Sequence, residues 1–164
     1  MHDQFAQFEK LVRSIVKRSS MPVNEPQTDH PLETRNIHPL LPNVVKKLFD
    51  DGHYAQATFE AFKFVDKEVA RLAKSEESGF KLMMTVFSEN SPALALTDCK
   101  SVTSKDEQKG FQFLFAGSIL AIRNPRGHEY GVRDTPDECL DHLVMASILL
   151  RRLEATGFKL KGSS

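Results

Sequence analysis

The chain has only two cysteines in 164 residues, Cys99 and Cys139, in unrelated contexts and without CxxC spacing. That excludes a disulfide framework and a cysteine-based zinc site, and it suits a reduced compartment. No apolar run approaches the roughly 18 residues needed to cross a bilayer. The first residues, MHDQFAQFEK, alternate polar and apolar side chains without the apolar core of a signal peptide. The expectation is a cytoplasmic protein with no membrane partner. Net charge is also lacking, with 22 Lys and Arg against 22 Asp and Glu, which argues against a general nucleic-acid coating protein and leaves room for a local basic site. The six histidines include no metal-binding pair of the HxxxH or HExxH kind, so no metal or other cofactor is expected. Strand-like alternation, internal repeats and low-complexity tracts are missing too.

What is present is helical periodicity. Residues 3–18 place Phe5, Phe8, Val12, Ile15 and Val16 on one stripe opposite Glu9, Lys10, Arg13 and Lys17, which predicts an amphipathic helix in need of a partner. The next stretch, SSMPVNEPQTDHPLETRN, reads as a linker or surface strap. Pro39 and Pro42 suit a first helical turn, and that helix runs to about Asp50 and stops at Gly52. A longer helix over 53–74 buries Tyr54, Ala57, Ala61, Phe62, Val65, Val69, Leu72 and Ala73. In the same helix Glu60 and Asp66 read as solvated partners of Lys63 and Lys67.

The segment FKLMMTVF predicts one or two helical turns, and SENSPALALTDCKSVTSKDEQ a loop. A helix over 106–123 is expected to set Phe111, Leu114, Phe115, Ser118, Ile119 and Ile122 on its inner face, with GFQFLF serving core or dimer interface. Thr135-Pro136-Asp137-Glu138 is the clearest helix start in the chain, with a threonine N-cap, proline at the first position and a capping box, and Gly157 is its stop. The expectation is an all-α bundle of four or five helices. Its organisation is an amphipathic helix at 1–19, a linker at 20–36, the helical domain at 37–158 and a flexible tail at 159–164.

The chemistry concentrates in GSILAIRNPRGHEYG, residues 117–131. On an unbroken helix Arg123 and His128 face about 140° apart. Pro125 is therefore expected to bend the chain and push Asn124 toward an extended conformation, and Gly127 to adopt backbone angles closed to other residues. A histidine can give or take a proton near neutral pH, and an arginine fork suits a phosphate that gains charge in transfer.

This run, Arg123-Asn124-Pro125-Arg126-Gly127-His128, resembles the motif of HEPN-superfamily RNases: an Arg, often followed by Asn, then a His after four to six residues. Tyr130 fits the variant found in HEPN toxins, where the equivalent tyrosine is a site of modification. The wider pattern, from HPLLPNVVKKLFDDGHYAQATFEAF to SILAIRNPRGHEYG, is similar to the Ymh branch over residues 37–157. The resemblance implies a HEPN-like bundle, a homodimer whose two motifs meet in a cleft, and metal-independent cleavage of RNA in phage defence or a toxin–antitoxin system, with an antitoxin or sensor as a further partner. Arg123, His128 and Asn124 are the catalytic candidates; Arg126, Tyr130 and Arg133 are candidates for holding RNA. Two other readings stand beside this one. Arg123 can serve as an ordinary cation at a helix C-terminus, and the whole chain can be a non-catalytic dimerisation or sensor module of a defence or mobile-element operon.

Overall fold

A computed structural model of the chain describes residues 30–129 and 131–162. The 3–18 helix expected from periodicity, Tyr130 and the last two residues lie outside the described residues. The described chain is all-helical, without a strand, and no helix among the described residues is long and apolar enough to cross a membrane.

Helix α1 (Pro31–Thr34) is a single turn in the Pro-rich segment, capped by the His30 ring, and it drops Leu32 into the core. Helix α2 (Asn43–Asp50) starts directly after Pro42. It closes at Gly52, whose φ of +77° lets the His53 amide reach back to the Leu48 carbonyl at 2.8 Å. The chain then enters α3 (Tyr54–Ala73), the 20-residue central helix, against which α2 and the last helix pack.

Helix α4 (Gly79–Val86) is two turns long. Asp66 is not solvated as the charge pattern suggested. It is buried, and its Oδ1 accepts the Gly79 amide at 2.8 Å, tying the start of α4 to α3. Glu60 does pair with Lys63, at 2.9 Å.

Helix α5 (Val102–Ser118) begins four residues before the position periodicity suggested, because Ser101 and Ser104 form a reciprocal capping box. Its inner face carries Gln108 and Gln112 as well as Phe115, Ala116 and Ser118. The Gln108 amide serves the irregular segment before the helix. Oε1 accepts from Leu96 N at 2.7 Å, while Nε2 donates to the carbonyls of Phe87 and Leu94 at 3.0 and 3.2 Å. Gln112 donates to Met84 O at 2.6 Å. Leu114, expected inside, is exposed, and so are Phe113 and Leu120.

After α5 come a π-helical turn, Ile119–Arg123, a short α6 (Asn124–His128) and α7 (Pro136–Ala155). The Thr135 capping box forms as expected, and α7 buries Leu140, Leu143, Ser147, Leu150 and Leu153, which recur at three- and four-residue spacing. The core joins these to Phe62, Leu82 and a stacked Phe87–Phe115 pair with ring centres 4.4 Å apart. Residues 159–162 are not a free tail. Arg71 donates to Lys159 O, and the Lys161 amide donates to the buried Glu68, both at 2.8 Å, while Leu160 packs on the core.

Candidate functional site

Proline inside a helix removes one backbone donor and clashes with the carbonyl four residues earlier, here Ala121. A bend after Arg123 is one answer to that clash, and the chain uses another. Residues 119–123 widen into a π-turn, so that Asn124 N bonds to Ile119 O five residues back. Helical backbone then continues, with Asn124 at φ −64°, ψ −44°. The expected extended Asn124 is therefore corrected: the strain of Pro125 is absorbed one turn earlier, where a wider ring leaves room for the pyrrolidine. Gly127 is not in the positive-φ region either. Its requirement is packing, because a Cβ there would lie 2.6 Å from Cε2 of Phe59 on α3.

This continuous helix keeps Arg123 and His128 at roughly the 140° separation of a regular helix, and the two side chains share no hydrogen bond. Arg123 is half-buried. Its guanidinium lies 5.5 Å from the centre of the Phe59 ring, a cation–π distance, and Nη1 donates to Asn124 Oδ1 at 3.1 Å, so Asn124 orients the arginine. Its Nε is buried without an acceptor. Lys63 Nζ approaches the same ring at 5.8 Å. His128 is exposed at the end of α6, and among the described residues its ring has no hydrogen-bond partner.

Arg126 has a different fate from the one its sequence suggested. Its side chain is 10% exposed and grips Asp134, which is 2% exposed, through two bonds: Nε to Oδ2 at 2.8 Å and Nη2 to Oδ1 at 2.5 Å. Nη1 donates to Ile122 O at 2.7 Å. Its charge is thus paired within the fold, while the side chain also lines a cleft beside Phe59. Thr58 on α3 donates a third bond to Asp134 at 2.9 Å, and the His142 ring on α7 stands 3.6 Å from the carboxylate. Burial by itself would raise the Asp134 carboxyl, but the bonds from Arg126 and Thr58 and the neighbouring Arg126 and His142 charges outweigh it and hold it below the usual aspartate value. The His142 imidazole is lowered by burial first and by the Arg126 charge second, against the pull of Asp134 and Glu138. The Cys139 thiol beside them is pushed up to about 11, chiefly by burial, which keeps it a non-nucleophilic thiol.

Arg133 is exposed and lines an open cleft of about 610 Å³ with His53, Gln56 and Val132. A second cleft of about 390 Å³, lined by Leu48, Gln56, Phe59, Glu60, Arg126 and Gly127, adjoins it, and Gln56 borders both. The structure thus brings Arg123, Asn124, Gly127 and Phe59 together, sets His128 at the outer end of α6, and turns Arg126 inward. Tyr130 lies outside the described residues. Sequence reasoning missed Phe59, Thr58, Asp134 and His142. Thr58 and Phe59 sit among the inward positions of α3 and were legible there in principle. Asp134 carries no pattern of its own beyond standing before a helix cap. Among the described residues no group of three or more His, Cys, Asp or Glu side chains is arranged to hold a metal.

Residues 35–153 match a protein family described as "Protein of unknown function (Hypoth_ymh)". Neither curated proteins nor solved structures provide a match. The matched span runs from the end of α1 almost to the end of α7 and includes Arg123, His128, Arg126 and Asp134. The chain therefore belongs to the Hypoth_ymh family.

Proposed function

We propose that this protein is a metal-independent endoribonuclease of the HEPN type, acting as a cytoplasmic homodimer in phage defence or a toxin–antitoxin system, with RNA as substrate and an antitoxin or sensor as partner. The observation that carries the reading is a division of labour among the basic residues of one motif. Arg126 is engaged by Asp134. Arg123 and His128, the two positions the HEPN resemblance singles out, form no ion pair among the described residues; Arg123 lies over the Phe59 ring, which lines an open cleft, and His128 follows Gly127, which lines the same cleft.

In this reading a ring nitrogen of His128 takes the proton of a ribose 2′-hydroxyl, and the oxygen attacks the adjacent phosphorus. The bond to the 5′-oxygen breaks, and that oxygen leaves with a proton, giving a 2′,3′-cyclic phosphate and a 5′-hydroxyl. Arg123, held by Asn124, offsets the charge on the phosphate oxygens as it grows. Arg133 supplies local positive potential along the adjoining cleft. Because the two side chains diverge around one helix, the site is completed across two copies, each giving its Arg123 to the partner's motif. The exposed Phe113, Leu114 and Leu120 on α5 and the π-turn, leading directly into the motif, offer an apolar face for that pairing.

The test is cleavage of total RNA by the purified full-length chain in EDTA, compared with Arg123→Ala and His128→Ala. Loss of about 10²–10⁴-fold in each variant, with cyclic-phosphate ends in the wild-type digest, is the expected result. Dimers mixed from wild type and His128→Ala should lose much of the activity. Intact RNA with the folded wild type, and no effect on growth when it is expressed, would overturn the reading. The divergence of Arg123 and His128 within one chain favours a second reading, a non-catalytic helical interaction module. That reading requires both alanine variants to keep wild-type toxicity and partner binding.

A further inference from the structure

Helix α6 is an anomaly in this fold. It carries Arg126, Gly127 and His128, yet it has only five residues and buries none of them. It continues the helical path of α5 and the π-turn, and its close apolar contact is the Gly127 backbone against Phe59, so polar contacts must help to set the direction of its last turn. One set does so. Arg126 reaches forward eight residues to Asp134, and Asp134 is itself fixed to the central helix by Thr58. The third fork nitrogen of Arg126 holds Ile122 O, the carbonyl level with the π-turn. His142 of α7 closes the far side, its Nδ1 3.4 Å from Arg126 Nη2. Beyond the bonds within the helix, Glu129 N donates to Pro125 O at 3.0 Å and closes the last turn of α6. Side chains of three helices therefore meet on one carboxylate, one residue before the cap of α7, and Arg126 links it to the π-turn.

We infer that Asp134 is a positioning residue for His128: the Arg126–Asp134 clamp, braced by Thr58, helps to set the direction of the last turn of α6 and so the place of the exposed imidazole next to Gly127, which lines the cleft. A bidentate guanidinium–carboxylate pair fixes orientation as well as distance, which a lysine cannot do. The clamp is also separable from the core, since the large buried apolar side chains lie on the other helices, in the π-turn at Ile119 and in the segment before α5, none of them on α6. Its effect on cleavage rests on the ribonuclease reading above, whereas its effect on α6 does not.

Two measurements on the full-length chain separate these. Amide hydrogen exchange is compared for wild type, Arg126→Lys and Asp134→Asn, and RNA cleavage is followed as kcat and KM. The clamp predicts exchange at residues 124–129 faster by about tenfold or more, with α3 and α7 keeping their protection. It also predicts kcat lowered about ten- to hundredfold at nearly unchanged KM, the signature of a misplaced proton-transfer group. Should the single variants fail to fold, Arg126→Met/Asp134→Leu removes both charges together and keeps the core packed, and the same faster exchange is expected of it. Unchanged exchange at 124–129 in a folded clamp variant overturns the proposal, as does wild-type kcat in such a variant. If the wild type cuts no RNA, the exchange result alone decides the clamp, and only the ribonuclease reading falls.

Discussion

The two long helices α5 and α7 bury their residues by opposite logic. Helix α7 turns Leu140, Leu143, Leu149, Leu150 and Leu153 inward, as an amphipathic stripe should. Helix α5 turns two glutamines inward and leaves Phe113 and Leu114 outside. The difference lies in what each helix faces. Helix α7 packs chiefly on α3, another regular helix whose backbone is already satisfied, so its inward face is mostly apolar, with Ser147 accepting the His38 amide as an exception. Helix α5 covers the irregular stretch around Leu94 and Leu96, whose buried amide and carbonyls have no neighbours of their own, and the glutamine amides supply them. The hydrophobic residues displaced from that face end up on the surface, beside the motif.

Breaking this contrast is most costly on the polar side. Gln108→Leu, which a hydrophobicity argument would favour, strands Leu96 N and the carbonyls of Phe87 and Leu94, and is expected to destabilise the fold by about 4 kcal/mol in urea titration. Leu150→Ala, the corresponding injury to α7, leaves a cavity in the core and should cost about 3 kcal/mol by the same measurement.

Acid probes the junction between the two helices and has a smaller effect. Because His142 is lowered from 6.5, the unfolded chain takes up its proton first as pH falls, so stability declines from about pH 6.5 downward. Because Asp134 is lowered from 3.8, its contribution is present above that value and disappears as pH falls through its native value. Both act in the same direction. Urea midpoints should drop on acidification below about pH 6.5, and His142→Asn should flatten the part of that slope nearest neutrality. Smallest of all, Phe113→Ser on the outer face of α5 should shift the stability of the single chain by no more than about 0.5 kcal/mol. A clear change in sedimentation with that variant would show that the exposed face is covered in solution.

Helix α7 was legible in full, because Thr135, Pro136 and Glu138 specify a cap through contacts three residues apart and Gly157 a stop. Helices α2 and α3 were legible from apolar spacing and from Gly52, whose left-handed backbone closes the first of them, although Pro39 and Pro42 precede α2 instead of lying in its first turn. The candidate site was legible as a list of residue types and not as an arrangement. Pro125 announced a disturbance without saying that a π-turn would absorb it, and Arg126 looked like a ligand for phosphate until Asp134 was found against it.

The local code fixed the start of α7 and the closing of α2 and α7, because a capping box or a terminal glycine acts between residues a few positions apart. Only tertiary structure decided which charges are free. Pairing Arg126 with Asp134 and Thr58, burying Asp66 against Gly79, and turning glutamines inward on α5 each depend on a partner brought near by the packing of other elements. An ion pair or an amide bridge leaves no period in the sequence from which it can be read.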